Sequence, residues 1–250
     1  DGKYVTRDVN KSIYYFTCAA KQNIPQAQFN LGLFYLFHDS SKQNIKKGLN
    51  FLFLASKNGY AEANFAVGYL YHEGKYVNRD IEKCIEFYKE ASSFNSFYVK
   101  NNLGIIYKYK DENETHQNIG RAIAYFEEAI QHKNDKVAMY NLAHIFIYKD
   151  KTKERLKKSI ELLIKSSKQY FLPATKLLAI AIIKKYGLDF EKIKIGINDD
   201  IYFKIVCLII RDNHLNNESI FIKKYNFYET IDYVYNINGN IIQSKYLIEQ

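Results

Sequence analysis

A two-residue marker recurs along the 250-residue chain at intervals of about 36 residues, and this repetition constrains the fold more than any other feature. Each copy is a basic residue followed by a small one. A fixed period of this length is the signature of an array of supersecondary units, each of which buries its apolar face against its neighbours. The five markers are Lys11-Ser12, Lys47-Gly48, Lys83-Cys84, Arg121-Ala122 and Lys158-Ser159.

Seven positions after the small residue of each marker comes a second small residue, and a pair of large apolar residues lies between the two. On an α-helix, positions seven apart lie on one face about two turns apart. Small residues allow a neighbouring helix to approach closely, and the large pair fills the space between the helices. The pattern therefore predicts the second helix of each repeat. The second small residues are Ala19, Ala55, Ala91, Ala129 and Ser166.

Another ladder predicts the first helix of each repeat. It consists of a glycine or alanine that is followed three residues later by a large, mostly aromatic residue. Glycine inside a helix costs about 1 kcal/mol relative to alanine, so its recurrence at one position indicates a close helix crossing. The ladder is Gly32 with Tyr35, Gly68 with Tyr71, Gly104 with Tyr107, Ala143 with Phe146, and Ala179 with Ile182.

The two ladders together predict an all-α fold: a right-handed α-solenoid of stacked antiparallel helix pairs with a divergent C-terminal helical cap. The segment Gly2–Asp8, GKYVTRD, is nearly the same as Gly74–Asp80, GKYVNRD. We therefore expect the array to begin in the middle of a repeat, either cut from a longer array or trimmed as a cap. The predicted boundaries are a half repeat at 1–26, repeats at 27–62, 63–98, 99–137 and 138–173, a half repeat at 174–186, and the cap at 187–250.

The ladder ends after Ala179, and the last part of the chain leaves two alternatives open. Ser219–Tyr235 fits a helix, but its Phe, Tyr and Ile residues also favour strands. Asn238-Gly239 is a turn signal between short apolar runs and is typical of a hairpin. We expect a mostly helical cap here, because something must cover the apolar face of the last repeat.

The formal net charge of +9 permits an acidic partner, including nucleic acid. Basic residues alternate with Asp and Glu along the helices, as on a solvated helix face, so nucleic acid is not favoured. Cys18, Cys84 and Cys207 are far apart and form no CxxC pair, which indicates neither a disulfide framework nor a zinc site. No apolar run reaches the roughly 18 residues of a transmembrane helix. We expect a reducing compartment, with the cytoplasm favoured and the endoplasmic reticulum or secretion left open for a fragment.

No known catalytic or cofactor motif occurs in the chain. There is no HExxH, GxSxG, phosphate-binding loop or GxGxxG sequence. The six histidines are scattered and have no acidic partner at metal-binding spacing. We therefore predict no catalytic, cofactor-binding or metal-binding residues, and a protein that is not an enzyme. The histidines are His38, His72, His116, His132, His144 and His214.

The stretch Ala63–Ala91 resembles the Sel1-like repeat, a relative of the tetratricopeptide repeat, and the resemblance extends over about Gly2–Tyr186. Cys84 stands where the repeat usually has alanine, and the loop signature is lost at 38–45. The resemblance implies an adaptor or scaffold. Examples are the substrate adaptor of the endoplasmic-reticulum degradation ligase, activators of chitin synthase, and bacterial proteins that bind host or toxin partners. The matching residues are Val67, Gly68, Tyr71, Gly74, Val77, Asp80, Lys83, Tyr88 and Ala91.

In tetratricopeptide-like stacks the first helix of each pair lines a concave groove, and the resemblance places a partner-binding groove on the same helices here. Aromatic rings flanked by basic groups suit a peptide with apolar anchors and acidic neighbours. Packing is the favoured alternative for Phe29, Phe65 and Tyr140, which share one register. The predicted groove residues are Phe29, Leu33, Phe65, Tyr69, His72, Asn101, Ile105, Lys108, Tyr140 and His144.

We therefore predict a protein interaction scaffold or adaptor that binds a protein or peptide partner, and no small-molecule substrate. One alternative is a regulatory subunit of an enzyme, such as an activator of a membrane enzyme, an adaptor of a degradation ligase or an inhibitor that neutralises a toxin. A second alternative is a basic repeat protein that binds nucleic acid.

Overall fold

The computed structural model describes residues 8–38, 41–92, 97–109, 116–149, 152–186, 233–235 and 241–243. These residues form ten α-helices and two short strands. Backbone contacts divide the chain into two compact units, Asp1–Val99 (unit 1) and Lys100–Gln250 (unit 2). The helices are α1 Val9–Lys21, α2 Pro25–Phe37, α3 Lys42–Lys57, α4 Ala61–Glu73, α5 Ile81–Ser92, α6 Phe97–Tyr109, α7 His116–Lys133, α8 Lys136–Tyr148, α9 Lys153–Lys168 and α10 Leu172–Tyr186, and the strands are β1 Tyr233–Tyr235 and β2 Ile241–Gln243.

Local sequence sets where the helices begin and end. A side-chain oxygen accepts a hydrogen bond from the first turn at Asp8 of α1 and Thr152 of α9, which satisfies a backbone N–H that has no partner within the helix. Pro25 occupies the first turn of α2, where its missing N–H has no cost. Gly74 ends α4 with a φ of 68°, a left-handed conformation that glycine adopts without strain.

In unit 1, the predicted helix pairs are present as α2 with α3 and α4 with α5. A Cβ atom at Gly32 would lie 2.6 Å from Leu52, and one at Gly68 would lie 2.5 Å from the ring of Tyr88. Only glycine allows these helices to approach so closely. The small residues of α3 and α5 are also buried, namely Gly48, Ala55, Cys84 and Ala91, whereas on α1 Ser12 is exposed and Ala19 is half-buried.

Unit 2 repeats the same packing. A Cβ atom at Gly104 would lie 2.6 Å from the ring of Phe126 on α7. Neighbouring first helices are joined by a hydrogen bond in which Asn141 Nδ2 donates to Asn101 Oδ1 at 2.9 Å. Four small residues of the second helices are fully buried: Ala122, Ala129, Ser159 and Ser166.

In three repeats the aromatic residue of the glycine ladder stacks on the second helix of its own repeat. Three ring pairs are nearly parallel, with interplanar angles of 9°, 12° and 10°. The basic residue of the marker lies over the first ring of each pair, at 5.3 to 5.8 Å from its centroid, a distance at which a cation and a ring attract each other. The three sets are Tyr35–Phe51 with Lys47, Tyr71–Phe87 with Lys83, and Tyr107–Tyr125 with Arg121.

Near the C-terminus, β1 and β2 pair antiparallel, with Val234 opposite Ile242. These six residues form paired strands, as the hairpin alternative predicts, and the general prediction of a helical cap is wrong for them. β1 lies beside α8 within unit 2. The predicted cap residues 187–232, 236–240 and 244–250, and residues 1–7 of the first half repeat, lie outside the described residues.

Candidate functional site

In unit 1 the predicted groove residues lie on α2 and α4, and we call this set of residues the inner face of unit 1. We define it by Phe29 and Leu33 on α2 and by Phe65, Tyr69 and His72 on α4. Phe29 and Leu33 lie one helical turn apart, as do Phe65 and Tyr69, so each pair shares a helix face. Phe29, Leu33 and Tyr69 are half-buried, whereas Phe65 and His72 are buried. A partner could therefore reach three of these five side chains.

Phe65 belongs to the core, and this agrees with packing, the alternative that the sequence analysis favoured for this residue. Its ring centroid lies 5.4 Å from that of Tyr88 and 5.0 Å from that of Tyr98. Its register equivalent in unit 2, Tyr140, is also buried and contacts Phe171 at 5.7 Å. Phe29 has only a single ring contact of this kind among the described residues, with Tyr60 at 5.3 Å, and remains half-exposed.

Tyr69 lies beside a carboxylate that the sequence analysis did not include in the site. Its hydroxyl group donates a hydrogen bond to Glu73, and burial, together with the negative charge of Glu73, raises the pKa of Tyr69 far above its usual value. The hydroxyl therefore stays neutral at all physiological pH values. His72 Nδ1 lies 3.5 Å from Glu73 Oε1. The spacing of four residues between Tyr69 and Glu73 could have revealed this contact.

Unit 2 places its five predicted groove residues inside the packing and not on an open surface. Asn101, Ile105, Lys108, Tyr140 and His144 are all at most 3% exposed. Lys108 Nζ lies 3.3 Å from His144 Nδ1, so this ammonium group is directed at a neighbouring helix. The expected basic flank of the groove depended on Lys108, which is not accessible to an acidic partner in this arrangement.

The physical reason is that α8 is covered all round. Every residue from Val137 to Ile147 is buried. Helices α7, α9 and α10 pack against α8, and Asn101 and Lys108 of α6 contact it. Strand β1 lies beside this helix. Sequence periodicity identified which residues share the inner face, but it contains no information about what lies over them.

Solvent-accessible charged groups form ion pairs in both units. Lys83 Nζ lies 3.2 Å from Asp80 Oδ2 in unit 1, and Lys158 Nζ lies 2.9 Å from Glu127 Oε1 in unit 2. Hydrogen bonds from the backbone and side chain of Lys83 lower the pKa of Asp80.

Within the described ranges, no cluster of His, Cys, Asp and Glu is placed to hold a metal ion, and no helix there is long and apolar enough to cross a membrane.

Repeated helix pairs with a glycine at three of the close crossings define a helical repeat protein. The sequence profile of the Sel1 repeat matches residues 1–24, 25–60, 61–93, 100–134 and 136–170, together more than half of the chain. The chain belongs to the Sel1 repeat family, whose members are typically non-catalytic scaffolds.

Solved structures of the same fold support this assignment. A Sel1 repeat protein from Oxalobacter formigenes superposes with a TM-score of 0.66 at 19% identity, over 84% of this chain and 82% of the other. The protective antigen c5321 of uropathogenic Escherichia coli strains, which displays an SLR fold, gives a TM-score of 0.65 at 20% identity, over 88% of this chain and 50% of the antigen. The predicted fold class, an all-α solenoid of stacked antiparallel helix pairs, is thereby confirmed. Comparison with curated proteins gives no match.

Proposed function

We propose that the protein is an interaction scaffold that binds a polypeptide on the inner face of unit 1. The observation that carries this proposal is the partial exposure of Phe29, Leu33 and Tyr69. The register equivalents of Phe29 in two later repeats, Phe65 and Tyr140, are by contrast buried in packing. Exposed aromatic groups beside polar ones are typical anchor points of protein interfaces.

The chemistry of this face favours a partner with apolar anchors and a hydrogen-bond donor or positive charge beside them. Glu73 offers carboxylate oxygens next to Tyr69, and its side chain is 18% exposed. A carboxylate at the edge of an apolar surface attracts a cation and repels an acidic residue. The expectation of an acidic partner depended on accessible basic groups such as Lys108, which is buried in unit 2. We therefore propose a basic or neutral partner.

The proposal can be tested with short peptides selected from a displayed random library on the immobilised full chain. We expect the selected peptides to contain an aromatic or aliphatic anchor with Lys or Arg nearby. Tyr69→Ala should weaken their binding by about tenfold or more, equivalent to about 1.4 kcal/mol. Glu73→Gln should weaken the basic peptides more than the neutral ones, because it removes the charge and keeps the shape.

Tyr14→Ala is the matched control, since Tyr14 is an exposed tyrosine on α1 outside the inner face of unit 1. It should leave peptide affinity unchanged, and circular dichroism should show the same helix content in all three variants. Peptides that bind Tyr69→Ala as tightly as the parent, or a library that yields no binder, would overturn the proposed site.

A further inference from the structure

The turn between α9 and α10 differs from the corresponding turns of other repeats at two exposed positions. Tyr170 is 89% exposed and Leu172 is 58% exposed. Repeat packing does not require a large apolar side chain at either position, because three other turns have small residues, polar residues or proline there. The equivalents are Asn23, Gly59 and Asn134 for Tyr170, and Pro25, Ala61 and Lys136 for Leu172.

The backbone at Tyr170 has a conformation that is unfavourable for a bulky residue. Its φ is 58°, in the left-handed region that glycine and asparagine adopt more readily than other residues. The three equivalent residues also have a positive φ, so the turn geometry is shared and only the tyrosine is unusual. Because residues held in such conformations cluster at functional positions, Tyr170 indicates a recognition role.

Neighbouring groups hold this turn in place. Phe171, between the two exposed side chains, is buried, and its ring centroid lies 5.7 Å from that of Tyr140. Gln169 Nε2 donates a hydrogen bond to the backbone carbonyl of Asn134 at 2.8 Å, which joins this turn to the turn between α7 and α8. The exposed pair is therefore presented by an ordered backbone, and this lowers the entropy cost of binding.

The surroundings of the exposed pair are basic. Lys165 and Lys168 are exposed near the end of α9. The Ser166 hydroxyl group donates a hydrogen bond to the carbonyl oxygen of Lys136 at 2.7 Å, so Lys136 of the neighbouring turn lies at the same edge. The segments 131–136 and 165–173 contain a single acidic residue, Asp135, and it is buried as the cap of α8. This edge therefore attracts anions.

We propose that this edge of unit 2 binds the surface of an anionic lipid membrane, and we define it as the α9–α10 patch by Lys136, Lys165, Lys168, Tyr170 and Leu172. Tyrosine is enriched at membrane interfaces because its ring is apolar and its hydroxyl group stays hydrated. Lysine side chains reach lipid phosphates while their stems lie along apolar groups. Anchors of protein interfaces, by contrast, fill packed pockets, whereas Tyr170 is almost fully exposed on a turn.

The chain contains no tryptophan, so a single indole can report on this patch in the full chain. The Tyr170→Trp variant is mixed with vesicles of phosphatidylcholine, either pure or with an equal part of phosphatidylserine. We expect a blue shift of the emission and quenching by brominated acyl chains with the phosphatidylserine vesicles alone, and both should fade at high salt. Tyr14→Trp is the control at an exposed tyrosine of unit 1 and should show neither effect.

Co-sedimentation with the phosphatidylserine vesicles tests the individual groups. Tyr170→Asn should weaken binding by about fivefold or more, because the ring no longer buries apolar area. It should not lower the melting temperature, since asparagine adopts the left-handed backbone more easily. Lys165→Gln combined with Lys168→Gln should weaken binding by about tenfold or more, because each lysine near an anionic surface contributes about fivefold.

The matched control for charge is Lys153→Gln combined with Lys157→Gln, because these exposed lysines lie toward the other end of the same helix. This pair should nearly retain the parent affinity. Equal losses in the two lysine pairs would mean that net charge and not the α9–α10 patch determines binding, and would overturn the proposal.

An acidic polypeptide is the alternative occupant of the patch. The proposal is also overturned if the Tyr170→Trp emission does not shift with phosphatidylserine vesicles. If the parent chain then binds immobilised polyglutamate and Tyr170→Asn weakens that binding, the patch recognises an acidic polypeptide instead. The α9–α10 patch belongs to unit 2, and this inference does not depend on the function proposed for the inner face of unit 1.

Discussion

At the scale of single residues, the fit between one glycine and one ring sets the distance between helices. The Cβ atom of an alanine at position 68 would lie 2.5 Å from Cδ1 of Tyr88, and the Tyr88 ring cannot move aside because it stacks on Phe65. Overpacking of this kind costs about 1–3 kcal/mol, and the higher helix propensity of alanine offsets about 1 kcal/mol of that cost.

Gly68→Ala is therefore expected to lower the free energy of unfolding by up to about 2 kcal/mol, measured by urea denaturation. Gly120→Ala on α7 is the matched control, because Gly120 has no atom within 4 Å of its added Cβ. This control should stabilise the protein by up to about 1 kcal/mol. Stabilisation by both substitutions would contradict the proposed close crossing.

Cys84 illustrates how packing controls the chemistry of a residue. The thiol occupies a small-residue position of the second helix and is fully buried, and this burial raises its pKa well above the usual value. Because the thiolate is the reactive form, we expect Cys84 to resist alkylation by iodoacetamide in the native protein even at pH 9. Cys18 is half-buried and should react faster. Equal rates at the two sites, measured by peptide mapping, would contradict the burial of Cys84.

At the scale of elements, side-chain caps define where helices begin. Asp135 is buried at the start of α8, where its carboxylate accepts hydrogen bonds from Val137 N at 3.3 Å and Ala138 N at 2.9 Å. Asp135→Ala should cost about 1–2 kcal/mol of unfolding free energy, measured in urea. Asp135→Asn keeps an acceptor oxygen and should cost less than half as much. Equal stability of the two variants would contradict the role of Asp135 as a helix cap.

Much of the arrangement of the helices could be predicted from the sequence. The repeated spacing identified the helix pairs, the glycine crossings and the buried small residues, because every repeat must satisfy the same packing geometry. It did not reveal that Lys108 and His144 are buried. A periodic pattern specifies which side chains share a helix face, but it does not specify which elements pack over that face; Lys108 of α6, for example, lies against His144 of α8.

At the scale of the whole molecule, the net charge of +9 could suggest nucleic-acid binding. The basic residues, however, are interleaved with acidic ones and form ion pairs such as Lys100 with Glu128 at 3.0 Å. We therefore expect only non-specific binding to duplex DNA, with a Kd of roughly 10⁻⁴–10⁻⁶ M at physiological salt. Fluorescence anisotropy measures this directly, and a Kd near 10⁻⁸ M, typical of specific complexes, would contradict this expectation.

The central claim is that the side chains not used in repeat packing form the recognition surface, and that in unit 1 they lie on the inner face. The most direct test places a photoreactive benzophenone amino acid at position 33 or, as a control, at position 50. Leu33 is half-buried on the inner face of unit 1, and Asn50 is exposed on α3. Both variants are irradiated with a peptide selected on the parent chain. We predict cross-linking from position 33 and none from position 50, whereas cross-linking from position 50 alone, or equally from both positions, would contradict the claim.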